Sequence, residues 1–504
     1  MLDQSFSYEN FRIILDVENR RGKYLEDKDF FESEDVFEDS RAQTDKLIEL
    51  NKSIKNEKKK LPPIERRTED DYAELNKLRE EKEILKQERE DKREEALQQI
   101  SSNVSENNFK ICIQNGIIKY DKQLYIAKNT PENYFVLKQL QRNIYKTFSV
   151  KQSNRKSIIS QLILSLDDNF PKVIIRTDFK SFYESIPHKQ LIARIEENSL
   201  LSSLSKTIIK DILNQYWKIL ITDGVKSKDD ERVGVPRGLG ISAYLSELYL
   251  SDFDKIVSSL PNVTFYARYV DDIIIIFTPN NRAESKTTKS YKETIKGIIS
   301  KFRLEMNNDK TTVYDFRKRA SERRSSWKYE ISYLGYKFVI SYKRKAATDK
   351  EPQKVVKEKM LTCMSDNKLE RNKNKIIEAF KTFESDIVKF AGKEKQTNKL
   401  LIQRIKILTH NFQLFRRKSN VFVGIYFSNE FLTCSEDLGI LDKVLKDEIM
   451  RISHLLSART KDILESYSFI KGFDNKEMVR FNFNRNAKRG VFKIERTLNI
   501  WDNL

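Results

Sequence analysis

The clearest hydrophobic pattern in the chain is a pair of apolar, β-prone runs at residues 265–269 and 273–277, separated by a short polar step. The step holds two adjacent acids, Asp271 and Asp272. Two such runs around a short polar segment predict a β-hairpin, here with its turn at residues 270–272. Both runs are apolar enough to be buried, which makes two neighbouring acids between them unexpected for a purely structural turn.

Two further segments predict secondary-structure elements, one that ends at an acidic residue and one that follows a glycine-rich turn. Residues 173–177 predict a strand that ends at Asp178. A helix is expected to follow at residues 185–195. A glycine-rich turn at residues 234–242 leads into a helix predicted over residues 243–256. Strands and helices mixed in this way indicate an α+β arrangement.

After Ile340 the pattern changes to helical periodicity. Between Glu351 and Leu504 there is little strand signal, and apolar residues recur at the spacing of amphipathic helices. The stripes consist of Ile376, Ile377, Phe380, Phe383, Ile387 and Phe390, then Leu400, Leu401, Ile405 and Leu408, then Leu438, Leu441, Leu445, Ile449 and Ile452. Core packing explains these stripes, so we expect an α-helical, repeat-like domain, with the run at residues 420–427 as a local irregularity.

The N-terminal part of the chain has a helical and highly charged pattern. Residues 5–25 predict a short helix followed by a basic turn, and residues 51–99 are dense in Glu and Lys. Pro62 and Pro63 stop a helix, so a long helix is expected to begin near Thr68. Its heptads are too poor for a sustained coiled coil, which favours a solvated helix or helical hairpin that contacts RNA or a second subunit.

The segment that follows predicts a hairpin and two helices. The hairpin covers residues 111–125 and has its turn at Asn115 and Gly116. The helices are expected at residues 135–148 and, after a cap at residues 153–156, up to Leu166. The expected domains are a charged helical extension at residues 1–110, a mixed α+β domain at residues 111–345 and a helical domain at residues 346–504.

Composition and charge narrow the class of protein. The net charge of +19 favours a polyanionic partner, and nucleic acid is the natural one. Cys112, Cys363 and Cys434 are scattered and the histidines are isolated, which argues against a zinc site and a disulfide framework. No apolar run approaches the length of a membrane span, and the N-terminus lacks a signal sequence. We therefore expect a soluble, cytoplasmic protein with no membrane partner.

The paired acids at the predicted hairpin turn suggest metal chemistry. Two carboxylates ~4 Å apart repel by about 4 kcal/mol at an effective dielectric near 20. A divalent cation turns that repulsion into attraction, so Asp271 and Asp272 are candidate metal ligands. Asp178, at the end of another strand, can add a carboxylate from a second direction, as sites with two Mg²⁺ ions and shared substrate phosphates require.

The order of these features resembles the reverse transcriptases. The strand with Asp178, the glycine turn at residues 234–242, the Tyr-Val-Asp-Asp hairpin, the segment at residues 307–311 and the Leu-Gly-Tyr hairpin at residues 333–336 follow one another as in that family. The resemblance covers residues 142–340. It implies an α+β fold with the palm and fingers of a right-hand polymerase, in which the α-helical C-terminal domain replaces the thumb. It also implies RNA-directed DNA synthesis from dNTPs.

The resemblance assigns roles to the residues of the site. Asp178 and Asp271 are the expected bridging ligands of two Mg²⁺ ions, for which Mn²⁺ can substitute, with the Phe179 carbonyl assisting. Asp272 has a supporting role. Lys310 is expected near the pyrophosphate, as a charge stabiliser or proton donor.

Five further residues are expected to contact substrate or template. Tyr183 lies five residues after Asp178, where the family places an aromatic ring that selects deoxynucleotides, although a core aromatic is the alternative. Arg237 and Gly238 lie in the turn against the nascent pair. Arg142 and Arg155 are candidates for the template or triphosphate because guanidinium groups bind phosphates bidentately, and ordinary surface arginines are an equal alternative.

Several features resemble one group within the family, the bacterial reverse transcriptases of phage defence in the abortive-infection and unknown-group clade. These features are the opening at residues 5–22, the run at residues 420–427, and Arg237 with residues 240–243, where most members carry Gln and a Ser-Pro-type sequence. The resemblance leaves open an RNA template or none, and priming by a nucleic acid or a protein hydroxyl. The alternatives are a reverse transcriptase derived from a retron or a group II intron and, outside enzymes, an RNA-binding scaffold.

The implied partners follow from the same group. They are a noncoding RNA, the DNA product and dNTPs, and we expect a homo-oligomer.

Overall fold

The computed structural model describes residues 3–21, 23–32, 35–62, 72–106, 109–119, 121–279, 287–317, 327–345, 354–390, 392, 394–416, 419–476, 478–482 and 498–501. The chain divides into two compact units. The first contains residues 1–151 and 183–250, and the second contains residues 152–182 and 251–504. The three domains expected from the sequence stay a prediction.

The helices of the described residues are α1 Tyr8–Arg20, α2 Glu38–Lys60, α3 Ala73–Ser105, α4 Pro131–Phe148, α5 Arg155–Asp167, α6 Phe182–Ser185, α7 His188–Glu196, α8 Ser203–Thr222, α9 Gly240–Ser258, α10 Thr288–Lys301, α11 Asp366–Lys389, α12 Glu394–Thr409, α13 Glu436–Arg451, α14 Ala458–Glu465 and α15 Phe469–Asn475. Single 3₁₀ turns occur at Asn308–Lys310, Ser453–Leu455 and Asn499–Trp501. No described helix combines the length and apolar character that a membrane span requires.

The strands of the described residues are β1 Ile113–Lys119, β2 Lys122–Ala127, β3 Val173–Thr177, β4 Val263–Tyr269, β5 Asp272–Phe277, β6 Thr312–Asp315, β7 Trp327–Tyr333, β8 Tyr336–Lys345, β9 Lys354–Lys357, β10 Leu361–Met364, β11 Asn411–Arg416, β12 Ser419–Gly424 and β13 Met478–Asn482.

The first unit begins with the helices of the N-terminal extension. The short helix expected near the N-terminus is α1, and α2 and α3 form the expected helical hairpin. Leu50 and Ile54 of α2 pack against Leu75 of α3, and the C-terminal half of α3 buries Leu97 and Ile100. The expected helix start near Thr68 lies outside the described residues, and α3 runs from Ala73.

The hairpin of β1 and β2 differs from its prediction. The two strands pair antiparallel as far as Lys119 and Lys122, so the chain reverses between these two residues. The turn expected at residues 115–116 is therefore wrong, because these residues lie inside β1, where the strand register shifts. Gly116 serves strand packing, since a Cβ there would lie 3.1 Å from a side chain of β2.

A four-stranded antiparallel sheet forms the centre of the second unit, in the order β4-β5-β3-β6. The hairpin predicted from residues 265–277 is confirmed as β4 and β5. The isoleucines of β5 are almost fully buried, as a central strand with both faces covered requires. One covering element is α5, which begins where expected because the Asn154 side chain accepts hydrogen bonds from Lys156 N and Ser157 N.

A second sheet follows in the order β10-β8-β7, with β9 also paired to β8. The predicted hairpin at residues 333–336 joins β7 and β8. Leu334 and Gly335 both adopt positive φ, 45° and 79°, as tight two-residue hairpin turns need. Phe338 and Tyr333 of this sheet belong to the same apolar core as Ile274 of the first sheet.

The C-terminal part is helical, as predicted, but not free of strands. Helices α11 to α15 enclose a core in which the predicted Phe380, Leu401 and Leu441 are fully buried. The expectation of little strand structure beyond Glu351 is wrong, because β9 to β13 all lie there. The run at residues 420–427, expected as an irregularity, contributes to β12. That strand pairs with β11, which also pairs in parallel with the distant β13.

Candidate active site

Two neighbouring strands of the central sheet reach acidic residues at the same edge. Thr177, the last residue of β3, pairs with Ile273, so Asp178 follows at the edge where Asp272 begins β5. Asp271 lies in the turn just before Asp272. The three carboxylates expected to act together therefore occupy one sheet edge in the second unit.

Asp178 and Lys310 form the closest polar contact of this site. Lys310 Nζ donates to Asp178 Oδ2 at 2.8 Å, and Asn307 N donates to the Asp178 backbone carbonyl at 2.9 Å. The bond to Asp178, together with the charges of Asp271 and Asp272, raises the pKa of Lys310. Asp178 is 3% exposed, and its Oδ1 atom is buried without a hydrogen-bond partner among the described residues.

The pKa of Asp272 is raised to about 6, first by burial and then by the charge of Asp271, with Asp178 adding to it. Arg176 opposes the shift, with Nη2 lying 3.9 Å from Asp272 Oδ1. The site thus concentrates negative charge beyond what its own cations balance.

Phe179, expected to assist through its carbonyl, uses its side chain for the core. The ring is 2% exposed and packs against Phe182 and Phe253, with centroid separations of 5.2 and 5.5 Å. An isolated antiparallel β-bridge pairs the Phe179 backbone with that of Met306, four residues before Lys310. Only the Phe179 backbone is therefore suited to a polar role.

The turn between β4 and β5 is strained. Val270 adopts φ = 61°, a left-handed conformation that is unfavourable for a β-branched residue. Conformations of this kind persist only where surrounding contacts hold them, and they cluster at functional sites. Here Arg268 Nη1 donates to the Val270 carbonyl at 2.9 Å.

Four residues that support the acids were missed in the sequence: Arg176, Asp254, Arg268 and Tyr333. Arg176 had a readable signal, because it precedes Asp178 by two residues in a strand and so shares its face. Tyr333 donates to the Asp272 backbone carbonyl at 3.1 Å across two sheets. That contact, like the Asp254–Arg268 pair, joins residues from separate elements and has no local signature.

The acidic edge offers ligands of the type that Mg²⁺ prefers. Among the described residues, no three His, Cys, Asp or Glu side chains are arranged as a metal-binding cluster. The donor chemistry still fits, because Mg²⁺ prefers carboxylate oxygens and uses one or two of them with substrate phosphates. The unpaired Asp178 Oδ1 and the mutual repulsion of Asp271 and Asp272 are the features that a cation would relieve.

A second group of predicted residues lies together in the first unit. The Arg237 guanidinium lies over the Tyr183 ring, with Cζ 4.9 Å from the ring centroid. Arg237 also donates to Glu184 from Nε at 3.0 Å and from Nη2 at 3.2 Å. Glu184 was missed from sequence, although it directly follows Tyr183.

Gly238 follows Arg237 in the chain, and sterics require a glycine at this position. Its φ is +109°, and a Cβ there would lie 2.7 Å from the Tyr125 carbonyl oxygen. Tyr125 N in turn donates to the Arg237 carbonyl at 2.7 Å. The glycine therefore lets the β1–β2 hairpin approach the turn.

The two arginines expected in the fingers are both engaged within the protein. Arg142 Nη1 donates to Asn10 Oδ1 at 3.2 Å in the first unit. In the second unit Arg155 donates to the Leu334 carbonyl from Nε at 3.0 Å and Nη2 at 2.6 Å, and lies 5.4 Å from the Tyr336 ring centroid. Their contact with template or triphosphate stays a prediction.

Comparison with known proteins gives one family match. Residues 131–338 match the family described as reverse transcriptase (RNA-dependent DNA polymerase). No curated protein matches the sequence. Among solved structures, the chain is similar to the telomerase of Candida albicans in complex with a fragment of telomeric RNA, at 12% identity and a TM-score of 0.34. It is also similar to apo telomerase from Candida tropicalis, at 13% identity and a TM-score of 0.33.

These telomerase alignments cover 71% and 74% of this chain. The chain spans 64% of the length of each telomerase chain.

An antiparallel sheet with acids at the edge shared by two neighbouring strands is the palm of an α+β polymerase, and the predicted fold class is confirmed. The chain carries a reverse transcriptase domain at residues 131–338, which is the domain of a nucleotidyltransferase.

Proposed function

We propose that this protein is an RNA-directed DNA polymerase that adds deoxynucleotides by two-metal nucleotidyl transfer. The observation that carries the proposal is the acidic edge within residues 131–338. There the Asp178 carboxylate is buried, with one oxygen that has no hydrogen-bond partner in the described part of the chain, beside the mutually repelling Asp271 and Asp272.

The residues of the acidic edge have distinct tasks in this reaction. Asp178 and Asp271 would hold the metal ions, with the Phe179 carbonyl assisting and Asp272 in a supporting role. When bound, two Mg²⁺ or Mn²⁺ ions lower the pKa of the primer hydroxyl and balance charge on the leaving pyrophosphate. Lys310 pairs with Asp178 before substrate binds and turns to the pyrophosphate afterwards, where it stabilises charge or donates a proton.

Sugar selection is the proposed task of Tyr183. An aromatic ring under the sugar clashes with a 2′-hydroxyl and admits a deoxyribose. Arg237 and Gly238 form the turn next to this ring, and Arg142 and Arg155 are the candidate contacts to template and triphosphate. The packing of Arg237 on Tyr183 supports a shared role for these two residues.

The proposed partners are polyanions. The net charge of +19 supports binding of RNA and of the DNA product, through contacts that weaken as salt rises. The proposed setting is the bacterial cytoplasm, and the proposed biological role is antiphage defence, based on the resemblance of residues 5–22 and Arg237 to that group. A homo-oligomer is part of the same proposal.

The test is DNA synthesis by the purified protein with Mg²⁺ and dNTPs, on RNA templates and without added template. We expect Asp271→Ala and Asp272→Ala to abolish synthesis while thermal unfolding shows an intact fold. Asp447→Ala, at an exposed position of α13, is the control that keeps full activity. Full activity of the Asp271 variant would remove the polymerase assignment. RNA that copurifies with a protein inactive on every substrate would favour the scaffold alternative.

A further inference from the structure

Tyr183, Glu184 and Arg237 form a closed arrangement in the first unit. The Arg237 guanidinium lies over the Tyr183 ring at 4.9 Å from Cζ to centroid. The same guanidinium is bound by both oxygens of Glu184, at 3.0 and 3.2 Å. Because Glu184 is the chain neighbour of Tyr183, one carboxylate ties the cation to the segment that carries the ring.

The backbones on both sides of this arrangement are fixed. Val235 N donates to the Tyr183 carbonyl at 2.7 Å, and Gly234 N donates to the Ile186 carbonyl at 2.7 Å. Tyr125 N donates to the carbonyl of Arg237 itself at 2.7 Å. The backbone segments that carry the ring and the guanidinium therefore cannot shift far without breaking one of these hydrogen bonds.

The geometry of Arg237 favours a role that acts through Tyr183. Two of its donor nitrogens, Nε and Nη2, are used by Glu184, and its planar face is used by the ring. A guanidinium fork suits both contacts at once, because it binds a carboxylate bidentately and stacks on aromatic faces. This arrangement restricts rotation of the Tyr183 side chain.

We propose that Arg237 and Glu184 are positioning residues that hold the Tyr183 ring and thereby set the discrimination between deoxyribose and ribose. The inference rests on the proposed role of Tyr183 in sugar selection. A ring held in one orientation excludes a 2′-hydroxyl more strictly than a ring that can turn away. The Glu184 carboxylate matters because it keeps the Arg237 guanidinium over that ring.

The test measures kcat/KM for a dNTP and its rNTP counterpart in wild type and in Tyr183→Val, Glu184→Gln, Arg237→Lys and Glu184→Gln/Tyr183→Val. Tyr183→Val is expected to reduce discrimination by about 10- to 100-fold. Glu184→Gln and Arg237→Lys are expected to reduce it by about 3- to 10-fold, mainly through better use of rNTP, since each weakens a partly exposed pair. The double variant should match Tyr183→Val, because both changes act on the same ring.

The matched control is Glu384→Gln. Glu384 also binds an arginine bidentately, Arg451, at 2.8 and 2.9 Å, and its side chain is 33% exposed, as is that of Glu184. The Glu384→Gln change should leave the discrimination between dNTP and rNTP unchanged.

Each outcome is decisive. If Tyr183→Val leaves discrimination unchanged, the proposed role of Tyr183 fails, and this inference fails with it. If Tyr183→Val acts but Glu184→Gln and Arg237→Lys do not, the positioning role alone is overturned. Additive effects in the double variant would also overturn it, because Glu184 would then act independently of the ring.

Discussion

Arg268 Nη1 donates to the carbonyl of Val270 at 2.9 Å, and so fixes the strained turn that carries the paired acids. The guanidinium is held in place by Asp254, which accepts from Nε at 2.7 Å and from Nη2 at 2.6 Å. Arg268 is 5% exposed, so this carboxylate contributes to balancing a buried charge. An ion pair between a buried arginine on a strand and a partly exposed carboxylate on a helix thus supports the conformation of the turn that carries Asp271 and Asp272.

Removal of Asp254 should weaken both the fold and the turn. Asp254→Ala removes the carboxylate that binds Nε and Nη2 of the buried Arg268, which is expected to lower the free energy of unfolding by about 2–4 kcal/mol. The turn loses its anchor as well, so kcat should fall by about tenfold or more per folded molecule. Chemical denaturation and primer extension measure the two effects.

The control for Asp254→Ala is Asp386→Ala. Asp386 Oδ2 lies 3.7 Å from Arg404 Nη1. The side chains of Arg404 and Arg268 are each 4% exposed. This control should lose stability without losing kcat per folded molecule. A normal kcat in Asp254→Ala would show that the Asp254–Arg268 pair stabilises the sheet and leaves the turn unaffected.

Lys368 gives the fold a predicted pH dependence. Its Nζ donates to the Ser428 carbonyl at 2.8 Å and lies 5.0 Å from the Tyr336 ring centroid, on which Arg155 also packs. Burial, followed by the charges of Arg155 and Arg371, lowers the pKa of Lys368 from 10.5 to about 7. Between these values the unfolded chain binds the proton that the folded chain releases, so stability rises with pH across this window.

The measurement compares unfolding free energies of wild type and Lys368→Met from pH 7 to 9.5. Wild type should gain about 1–3 kcal/mol relative to the variant, less than the full shift implies, because the carbonyl and the ring favour the charged amine. Lys395→Met, at an exposed position of α12, should show no such gain. Parallel pH curves for wild type and Lys368→Met would contradict the lowered pKa.

Gly238→Ala is predicted to be more damaging than the same change at Gly224. Both glycines have positive φ, +109° and +68°, so both variants incur backbone strain of about 1 kcal/mol. Only at Gly238 would the new methyl meet backbone, at 2.7 Å from the Tyr125 carbonyl, whereas no atom lies within 4 Å at Gly224. Gly238→Ala should therefore cost at least another 1 kcal/mol and raise the KM for dNTP. If thermal unfolding showed equal losses of stability for the Gly238→Ala and Gly224→Ala variants, the β1–β2 hairpin would be able to move away from the new methyl group.

Local patterns explain which parts of this architecture were predictable. Two apolar, β-prone runs around a short polar step predicted the β4–β5 hairpin. The order of the motifs predicted that Asp178, Asp271 and Asp272 lie together. The Asn154 cap and the Leu334-Gly335 turn were readable for the same reason, since each depends on a few consecutive residues.

Contacts between distant segments explain what was missed. Strand β11 pairs with β13 more than sixty residues away, and no local periodicity records that pairing. Asp254 and Arg268 meet only because α9 packs beside β4. Gly116 was misread because a glycine that permits close packing looks, in sequence, like a glycine that permits a turn.

The last prediction concerns biological role. The opening at residues 5–22 and Arg237 resemble reverse transcriptases of phage defence, and we predict that the DNA product of this protein is itself the effector. Expression of the gene with its native flanking sequence should then reduce phage plaquing, and Asp271→Ala should restore it, because that change removes a proposed metal-binding carboxylate from the acidic edge. Asp447→Ala should protect as wild type does, and immunoblots should show equal protein levels. Protection that persists in Asp271→Ala would separate defence from DNA synthesis. Failure of wild type to protect against a broad phage panel would favour an origin in a retron or a group II intron.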